Sequence, residues 1–320
     1  MPGFSLGKSN MKLSYTAQEK DRDKTVYLIL RKELNISGTM LKRLKSSDAI
    51  SVSGAPVFTN YKLTPGEIVT VDIASAEQPC DNIPEQGEIE VLFENDGLLA
   101  VNKPSGILVH PSRSRNTGTL SNFVAWYLLA QGGQKHSCSC HSVNRLDRDT
   151  SGVVLFAKNS YFKAIASEAL SKPSARKEYL ALVCGEMPAC GVIDMPIKRK
   201  EERNMLRIPS QDGQRAVTHY ETLRVISAAD CMFSLVKLRL ETGRTHQIRV
   251  HCLHIGHPVL GDKLYCNAQS MMVSQAIGVI TQALHAGYLA FDEPLSGKYT
   301  EITAPWKPPI DGEKYPCILH

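Results

Sequence analysis

The sequence predicts an α+β fold built around a mainly antiparallel sheet. Residues 217–226 and 232–240 show the two-residue alternation of apolar and polar side chains that is typical of half-exposed strands. The turn sequence Glu94-Asn95-Asp96-Gly97 separates two further apolar runs and indicates a β-hairpin. Few helical segments lie between the strand candidates, which favours an α+β architecture.

Length and composition are those of an ordinary globular protein. The 320 residues are enough for one large and one small domain, and 42% of them are apolar and 22% charged. The net charge of +5 permits a polyanionic partner but does not require one. The nine cysteines are irregularly spaced and follow no secretory segment, which predicts reduced thiols in a cytoplasmic protein. No apolar run could span a membrane, and we expect a monomer.

The N-terminal part is predicted to hold a polar, frayed tail followed by a small α/β module. The tail covers residues 1–20 and the module residues 21–75. We expect a helix over residues 26–34, a break at Gly38 and a second helix over 40–44, with Thr39 as its cap. Short strands are predicted at 50–52, 57–58 and 68–73.

Three basic side chains crowd the second short helix, at Lys42, Arg43 and Lys45. Positions 40, 41 and 44 are apolar and are predicted to face inward, so the basic side chains would form an outer face. Such a face on a small module is a plausible RNA-binding surface. An ordinary solvated face would show the same pattern.

The rest of the chain is predicted to form one large unit. Residues 76–88 have linker composition, and a strand-rich unit covers residues 89–320. Within it we expect strands at 89–93, 98–101, 153–157 and 178–184 in addition to the alternating pair. Helices are predicted at 120–129, 161–170 and 245–255.

Two segments place charged groups beside apolar runs. The first reads NRLDRDTSG at 144–152 and leads into a buried strand, and the second reads ETGRTHQIRVH at 241–251. Buried charges are costly unless they are paired, so Asp147 is predicted to pair with Arg249 in a cleft. Asp147 and Asp149 point to opposite faces of an extended segment, which argues against a paired-carboxylate glycosidase. A salt-bridged turn without catalytic function is the alternative.

Other polar residues are candidates for substrate contacts. Arg244 and His246 precede a helix, where backbone donors favour anions, so either could contact a phosphate. Tyr179 opens a strand and could stack on a base or transfer a proton, although a core tyrosine is the simpler interpretation.

Metal and cofactor sites are not favoured. His251, His254 and His257 have no carboxylate or cysteine in a suitable frame, and Cys138, Cys140 and His141 lack a second matching pair. The chain has neither a phosphate-binding Walker loop nor a GxGxxG segment.

Taken together, the motifs resemble the RluA-type family of RNA pseudouridine synthases. The family's hallmarks appear in order as KPSGILVHP at 103–111, NRLDRDTSG at 144–152, RKEYLALVCG at 176–185 and GRTHQIRVH at 243–251. GHPVLGD at 256–262 and LHA at 284–286 also match. The N-terminal module resembles, more weakly, the RNA-binding domain named after ribosomal protein S-four.

This resemblance implies a mixed, mainly antiparallel sheet with a central cleft, and cofactor-free isomerisation of uridine to pseudouridine in ribosomal or transfer RNA. Asp147 would be the essential carboxylate, Tyr179 would stack on the target base and accept a proton, and Arg249 would orient Asp147. The target base must leave its helix to react. Arg145 and His246 would fill the gap or hold the backbone. Lys103 and His110, in a loop lining the cleft, would also contact the RNA.

The chain departs from the family pattern at Asn144, where the family has histidine. Asparagine keeps the hydrogen-bonding capacity but not the charge, and because Asp147, Tyr179 and Arg249 are present we expect an active enzyme. Asn144, Thr150, Ser151 and Gly152 are predicted to support the site. An RNA-binding or ribosome-assembly factor with a slow or silent cleft is the main alternative, and an N-glycoside-cleaving enzyme that releases free uracil is the other.

Overall fold

A small N-terminal sheet and a large ten-stranded sheet form the framework of the protein. The structure, a computed structural model, describes residues 12–77, 82–112, 115–131, 140–201 and 205–310. The mixed, mainly antiparallel sheet and the α+β class are as predicted. In the described part of the chain, no helix is both long enough and apolar enough to cross a membrane.

The N-terminal unit contains four short strands in the order β1-β4-β2-β3 and two helices. Its elements are β1 (Lys12–Thr16), α1 (Val26–Lys32), α2 (Gly38–Lys45), β2 (Ile50–Val52), β3 (Ala55–Pro56) and β4 (Ile68–Asp72). The prediction of a frayed tail over residues 1–20 is wrong for its second half, because β1 pairs with β4 and buries Leu13 and Tyr15. The five-residue alternation of β1 is too short to stand out in a polar context. Residues 1–11 lie outside the described residues.

Helix α2 differs from its prediction at the N-terminus. Ser37, not Thr39, is the N-cap, and its hydroxyl accepts a hydrogen bond from the backbone N–H of Met40. The apolar positions 40, 41 and 44 are buried as expected, and Lys42 and Lys45 are exposed. The strand predicted at 57–58 is absent, and Phe58 lies exposed after β3.

The large unit places helices around its long sheet. The sheet strands are β5 (Glu90–Glu94), β6 (Leu98–Lys103), β7 (His141–Ser142), β8 (Ser151–Ala157), β9 (Arg176–Cys184), β10 (Cys190–Asp194), β13 (Val217–Ala228), β14 (Cys231–Leu240), β15 (Leu284–Asp292) and β16 (Tyr299–Thr303). A separate ribbon consists of β11 (Ile197–Arg199) and β12 (Arg207–Pro209). The helices are α3 (Leu120–Ala130), α4 (Ser160–Ala169), α5 (Gln247–His254) and α6 (Ala268–Ala276).

Strand β15 joins the two halves of this sheet. The main strand order is β10-β13-β14-β9-β15-β8-β6-β5, so β15 lies between β9 and β8 although it comes late in the sequence. It pairs antiparallel with β9 and parallel with β8, where His285 lies opposite Ser151. This strand was not predicted, because most of its residues are buried and it therefore shows no alternation.

The segment predicted as a linker is bound to the large unit. Residues 82–88 have no regular secondary structure, as their composition predicts. The Glu77 carboxylate, however, accepts hydrogen bonds from the backbone N–H and hydroxyl of Ser160 at the start of α4, and it bonds to His141. The Tyr161 hydroxyl donates to the carbonyl of Leu34 over 3.0 Å. The two units thus pack together, while the boundaries at residues 75 and 89 remain predictions.

Candidate active site

A deep cleft of about 1480 Å³ opens where the 144–150 loop, the start of α5 and the 261–264 loop meet. Its volume exceeds the roughly 300–1,000 Å³ of common small-molecule sites. In the described part of the chain ten lysines and arginines and four aspartates and glutamates line it, which makes the cleft cationic. The basic residues are Arg145, Arg148, Lys172, Arg176, Lys177, Arg215, Arg239, Arg244, Arg249 and Lys263.

The predicted contact between Asp147 and Arg249 is confirmed. Arg249 Nη1 donates to Asp147 Oδ2 over 2.7 Å, joining the loop before β8 to helix α5. The side chain of Asp147 is 29% exposed and that of Arg249 only 7%. The carboxylate is therefore open to the cleft while its cationic partner is enclosed.

Asp262 is a second partner of Arg249 to which the sequence motifs assigned no role. Arg249 Nε and Nη2 donate to the two carboxylate oxygens of Asp262 over 2.6 and 2.9 Å. The two-bond geometry that arginine forms with a carboxylate is therefore found between Arg249 and Asp262. Burial alone would raise the pKa of Asp262, but the hydrogen bonds and charge of Arg249, with two backbone N–H groups, outweigh it and lower the pKa. The only sequence signal was its place in GHPVLGD.

His246 lies inside the site rather than on a surface. It is the N-cap of α5 in the left-handed region, with φ of 59°. Its Nδ1 is 2.8 Å from the Tyr265 hydroxyl and its Nε2 is 3.7 Å from Asp147 Oδ2. Burial is the main cause that lowers the His246 pKa, and this favours a neutral ring. The side chain of His246 is only 10% exposed. It is therefore poorly placed for one of its two predicted roles, which is to fill a gap in an RNA helix.

Tyr179 on β9 lines the same cleft as Asp147. Burial, and secondly the charge of Asp147, raise the pKa of Tyr179 to about 12. The phenol is therefore protonated at neutral pH, which suits stacking and hydrogen-bond donation. It could accept a proton only if its own proton moved away in the same step.

The motif residues around Asp147 tie its loop to the sheet. The Asn144 side chain donates to the carbonyl of Val153 over 3.1 Å and accepts from the N–H of Leu155 over 2.7 Å. Both polar atoms of the amide are therefore used against β8. A charge is not needed for this contact, by which Asn144 holds the loop of Asp147 against β8.

The end of the loop is held from the opposite side by β15 and the segment before it. Gln282 donates to the Thr150 hydroxyl over 2.7 Å, and Ser151 bonds to His285 over 2.9 Å. Gly152 has φ of +114°, and a Cβ there would lie 2.2 Å from the carbonyl oxygen of Ala286. Only glycine fits this approach.

Lys103, predicted to contact RNA, is buried and bonded to the protein. Its ammonium donates to the carbonyls of Pro104, Ile107 and Arg148 over 2.9, 2.8 and 2.7 Å. Its relative exposure is 0%, so the prediction is wrong. Lys103 instead fastens its own loop to the loop of Asp147. His110 lines the cleft beside Ser142, and burial, followed by the charges of Arg145 and Lys163, lowers its pKa.

The remaining RNA-contact candidates are spread over two surfaces. Arg145 and Arg244 are exposed and line the cleft, and Arg244 Nε donates to the carbonyl of Arg215. Lys42, Arg43 and Lys45 belong to α2 of the N-terminal unit and do not line this cleft. Their contacts with RNA remain predictions.

The histidine cluster considered for a metal is engaged by protein groups. His251 bonds to Thr218 and to the carbonyl of Met195, and His257 bonds to the carbonyl of Cys184. Among the residues that the structure describes, no group of three potential ligands could hold a metal ion. Cys138 lies outside the described residues.

Comparison with known proteins identifies the class that this fold and cleft define. The family model described as RNA pseudouridylate synthase matches residues 97–254. Among solved structures, human RNA Pseudouridylate Synthase Domain Containing 1 is similar with a TM-score of 0.58 and 25% identity, covering 73% of this chain and 90% of that chain.

Curated relatives extend the similarity over almost the full length. An uncharacterised RNA pseudouridine synthase of Bacillus subtilis (strain 168), YhcT, is 35% identical over 92% of this chain and 93% of its own. Ribosomal large subunit pseudouridine synthase D of Zymomonas mobilis is 34% identical over 84% of this chain and 86% of its own. The chain belongs to the RluA-type family of RNA pseudouridine synthases. It is thus an isomerase that acts on uridine in RNA.

Proposed function

We propose that this protein converts specific uridines of large-subunit ribosomal RNA to pseudouridine as a cofactor-free monomer, with Asp147 as its essential carboxylate. The 2.7 Å contact between Asp147 and Arg249 is the observation that carries this proposal. Support for the RNA class comes from relatives of Zymomonas mobilis and Xanthomonas campestris that are named as synthases of the large ribosomal subunit. Transfer RNA is included as a comparison in the test below.

The reaction needs no oxidant or reductant, because uridine and pseudouridine have the same atoms. The bond from the ribose to a ring nitrogen breaks, the uracil turns, and a bond forms from the ribose to a ring carbon. That carbon loses a proton and the nitrogen gains one. The protein must therefore supply an anionic group, a means of moving one proton and a site that holds the loose base.

Asp147 fits the anionic role. The neighbouring guanidinium of Arg249 orients the carboxylate, and Asp262 holds that guanidinium in place. The carboxylate can act on the ribose or on the uracil ring during bond cleavage. Tyr179 would cover the base and, as a protonated phenol, give its proton to the freed ring nitrogen as it takes the one from the ring carbon. The cationic lining of the cleft would hold the RNA backbone.

The central prediction is that Asp147→Asn abolishes turnover while RNA affinity changes little, because the amide keeps the size of the carboxylate but not its charge. Asp149→Asn is the matched control: Asp149 is two residues away and pairs with Arg148 at the surface. Pseudouridine would be quantified in ribosomal and transfer RNA transcripts after incubation with each protein. Asp149→Asn should retain activity, and normal turnover by Asp147→Asn would refute the assignment of Asp147.

The same assay separates the alternative functions. RNA binding without pseudouridine formation by the unaltered protein would indicate an assembly factor with a silent cleft, and release of free uracil would indicate an N-glycosidase. Modification of transfer RNA transcripts alone would refute the ribosomal target. Mapping pseudouridine in ribosomal RNA from a strain lacking this protein would identify the modified position.

A further inference from the structure

Three exposed aliphatic side chains lie at the mouth of the cationic cleft. They are Met205, Leu264 and Ile280, with relative exposures of 70%, 57% and 76%, and all three line the cleft. We call them the aliphatic rim. A cleft that only bound phosphates would have no use for large apolar groups in water, because their exposure is unfavourable.

Leu264 is held at a fixed position relative to Asp147. The backbone N–H groups of Leu264 and Tyr265 both donate to Asp262 Oδ1, over 2.9 and 3.0 Å. The carboxylate of Asp262 holds Arg249, which in turn holds Asp147. A short series of charge-assisted bonds therefore connects the segment of Leu264 to the proposed catalytic carboxylate.

Ile280 is connected to the loop of Asp147 through hydrogen bonds different from those of Leu264. Two residues after it, buried Gln282 donates to the hydroxyl of Thr150, three positions from Asp147. The backbone N–H of Ala283 donates to the carbonyl of Leu260 over 2.8 Å. The segments that carry Ile280 and Leu264 are thus fastened to each other as well as to the catalytic loop.

Met205 is tied to this arrangement through the β12 ribbon. The backbone N–H of Arg207 donates to the Tyr265 hydroxyl over 2.8 Å, and Arg207 also donates to the carbonyl of Met205. Tyr265 packs under the guanidinium of Arg249, 4.8 Å from its ring centre. The segments of Met205 and Leu264 are therefore connected through Tyr265, next to Arg249.

We propose that the aliphatic rim binds the bases that flank the target uridine and replaces the stacking they lose when that uridine is turned out. This inference rests on the proposed function of the cleft. Apolar side chains that enter a base stack lower the cost of unstacking, and a base must leave its stack to reach a buried site. The rim is continuous with the RNA-binding cleft, and the surrounding cations complement a nucleic acid strand.

The position of His246 strengthens this assignment. His246 is enclosed next to Asp147, so it cannot replace the lost base from outside. Arg145 is exposed on the catalytic loop and remains available for the backbone. The rim supplies the apolar surface that neither residue offers.

The test uses Leu264→Ser with Ile280→Ser, at side chains whose replacement should leave the fold intact because both are mainly exposed. The matched control is Met271→Ser with Met272→Ser on α6, which are 57% and 61% exposed and do not line the cleft. The substrate is a hairpin oligonucleotide around the uridine mapped in the deletion strain. We expect the single-turnover rate to fall about tenfold or more in the rim variant and by less than about twofold in the control.

Unstacking can be measured directly when turnover is blocked. In the Asp147→Asn background, 2-aminopurine next to the target uridine should brighten on binding, and the rim substitutions should remove most of that increase. A rim variant as fast as the unaltered protein, with unchanged fluorescence, would overturn the inference. Inactivity of the unaltered protein on every RNA would instead refute the proposed function, so the two failures are distinguishable.

Discussion

Arg249 shares its donors between two carboxylates, and this division leaves Asp147 open to the cleft. Burying a guanidinium without a partner would cost several kcal/mol, and Asp262 satisfies that need with two bonds. Asp147 receives one bond and keeps part of its surface in the cleft. It is therefore oriented without being fully enclosed.

Lys103 gives a prediction about pH. Burial lowers its pKa from the ordinary 10.5 to about 7. Between those values the unfolded chain holds more protons on this side chain than the folded chain does, so the free energy of unfolding should rise with pH. The Lys103→Met variant should lose this dependence. The slope of its free energy of unfolding against pH should be smaller by up to about 1.4 kcal/mol per pH unit.

Urea unfolding of both proteins between about pH 7 and about pH 9 would measure this difference. Lys298→Met, at an exposed lysine, is the control and should keep the slope of the unaltered protein. Parallel profiles for the unaltered protein and Lys103→Met would show that Lys103 does not titrate in this range.

The sequence predicted the contacts of some side chains but not of others. The contact of Asp147 with Arg249 was predictable, because each charge adjoins an apolar run and needs a partner. Asp262 is also a charged residue that needs a partner, but the adjacent sequence gave no indication that this partner would be Arg249. The inward position of Lys103 depends on three backbone carbonyls from two loops, and local sequence does not show such an arrangement.

Among strands and helices, β8 and β15 set the shape of the site. Their parallel pairing brings Gly152 opposite Ala286, where a side chain has no space. The longer alternating strands were predicted well, since β13 covers 217–228 and β14 covers 231–240. Strand β15 was not predicted, since a strand buried on both faces shows no alternation. The left-handed turn at His246 was not predicted either, because it depends on a specific loop contact and leaves no periodic signal.

Gly152→Ala should destabilise the protein by more than about 3 kcal/mol, because backbone strain adds to a clash with the Ala286 carbonyl. Gly66→Ala is the matched control, with φ of +91° and nothing within 4 Å of an added Cβ. It should cost only the strain, about 1–2 kcal/mol. Thermal or urea unfolding would compare them, and equal losses would argue against a close approach of β15 at Gly152.

The described segments of the chain are packed against one another to a greater extent than their composition suggested. A polar tail and a linker were predicted, yet β1 belongs to the N-terminal sheet and Glu77 binds the start of α4. Composition indicates where regular structure is absent, but it does not show whether a segment is bound to its surroundings. The N-terminal unit is therefore docked on the synthase unit, and its basic helix α2 is carried at a fixed position.

The basic helix gives a prediction about salt. The double substitution Lys42→Gln with Lys45→Gln should weaken RNA binding. It should also reduce the slope of log affinity against log salt by about 1.5, because RNA binding releases fewer counterions when two phosphate contacts are lost. Lys298→Gln with Lys307→Gln makes the same charge change at exposed lysines far along the chain and is the control. Binding isotherms over a range of salt concentrations would test this, and equal slopes for the two pairs would exclude α2 from the RNA contact.

The late position of β15 in the sequence has a consequence for biosynthesis. Asp147 and Arg249 lie beside separate halves of the sheet, and the strand between those halves follows both residues in the sequence. A nascent polypeptide still lacking β15 outside the exit tunnel cannot bring the acid and its guanidinium together. Activity should therefore begin only after β15 has emerged from the exit tunnel.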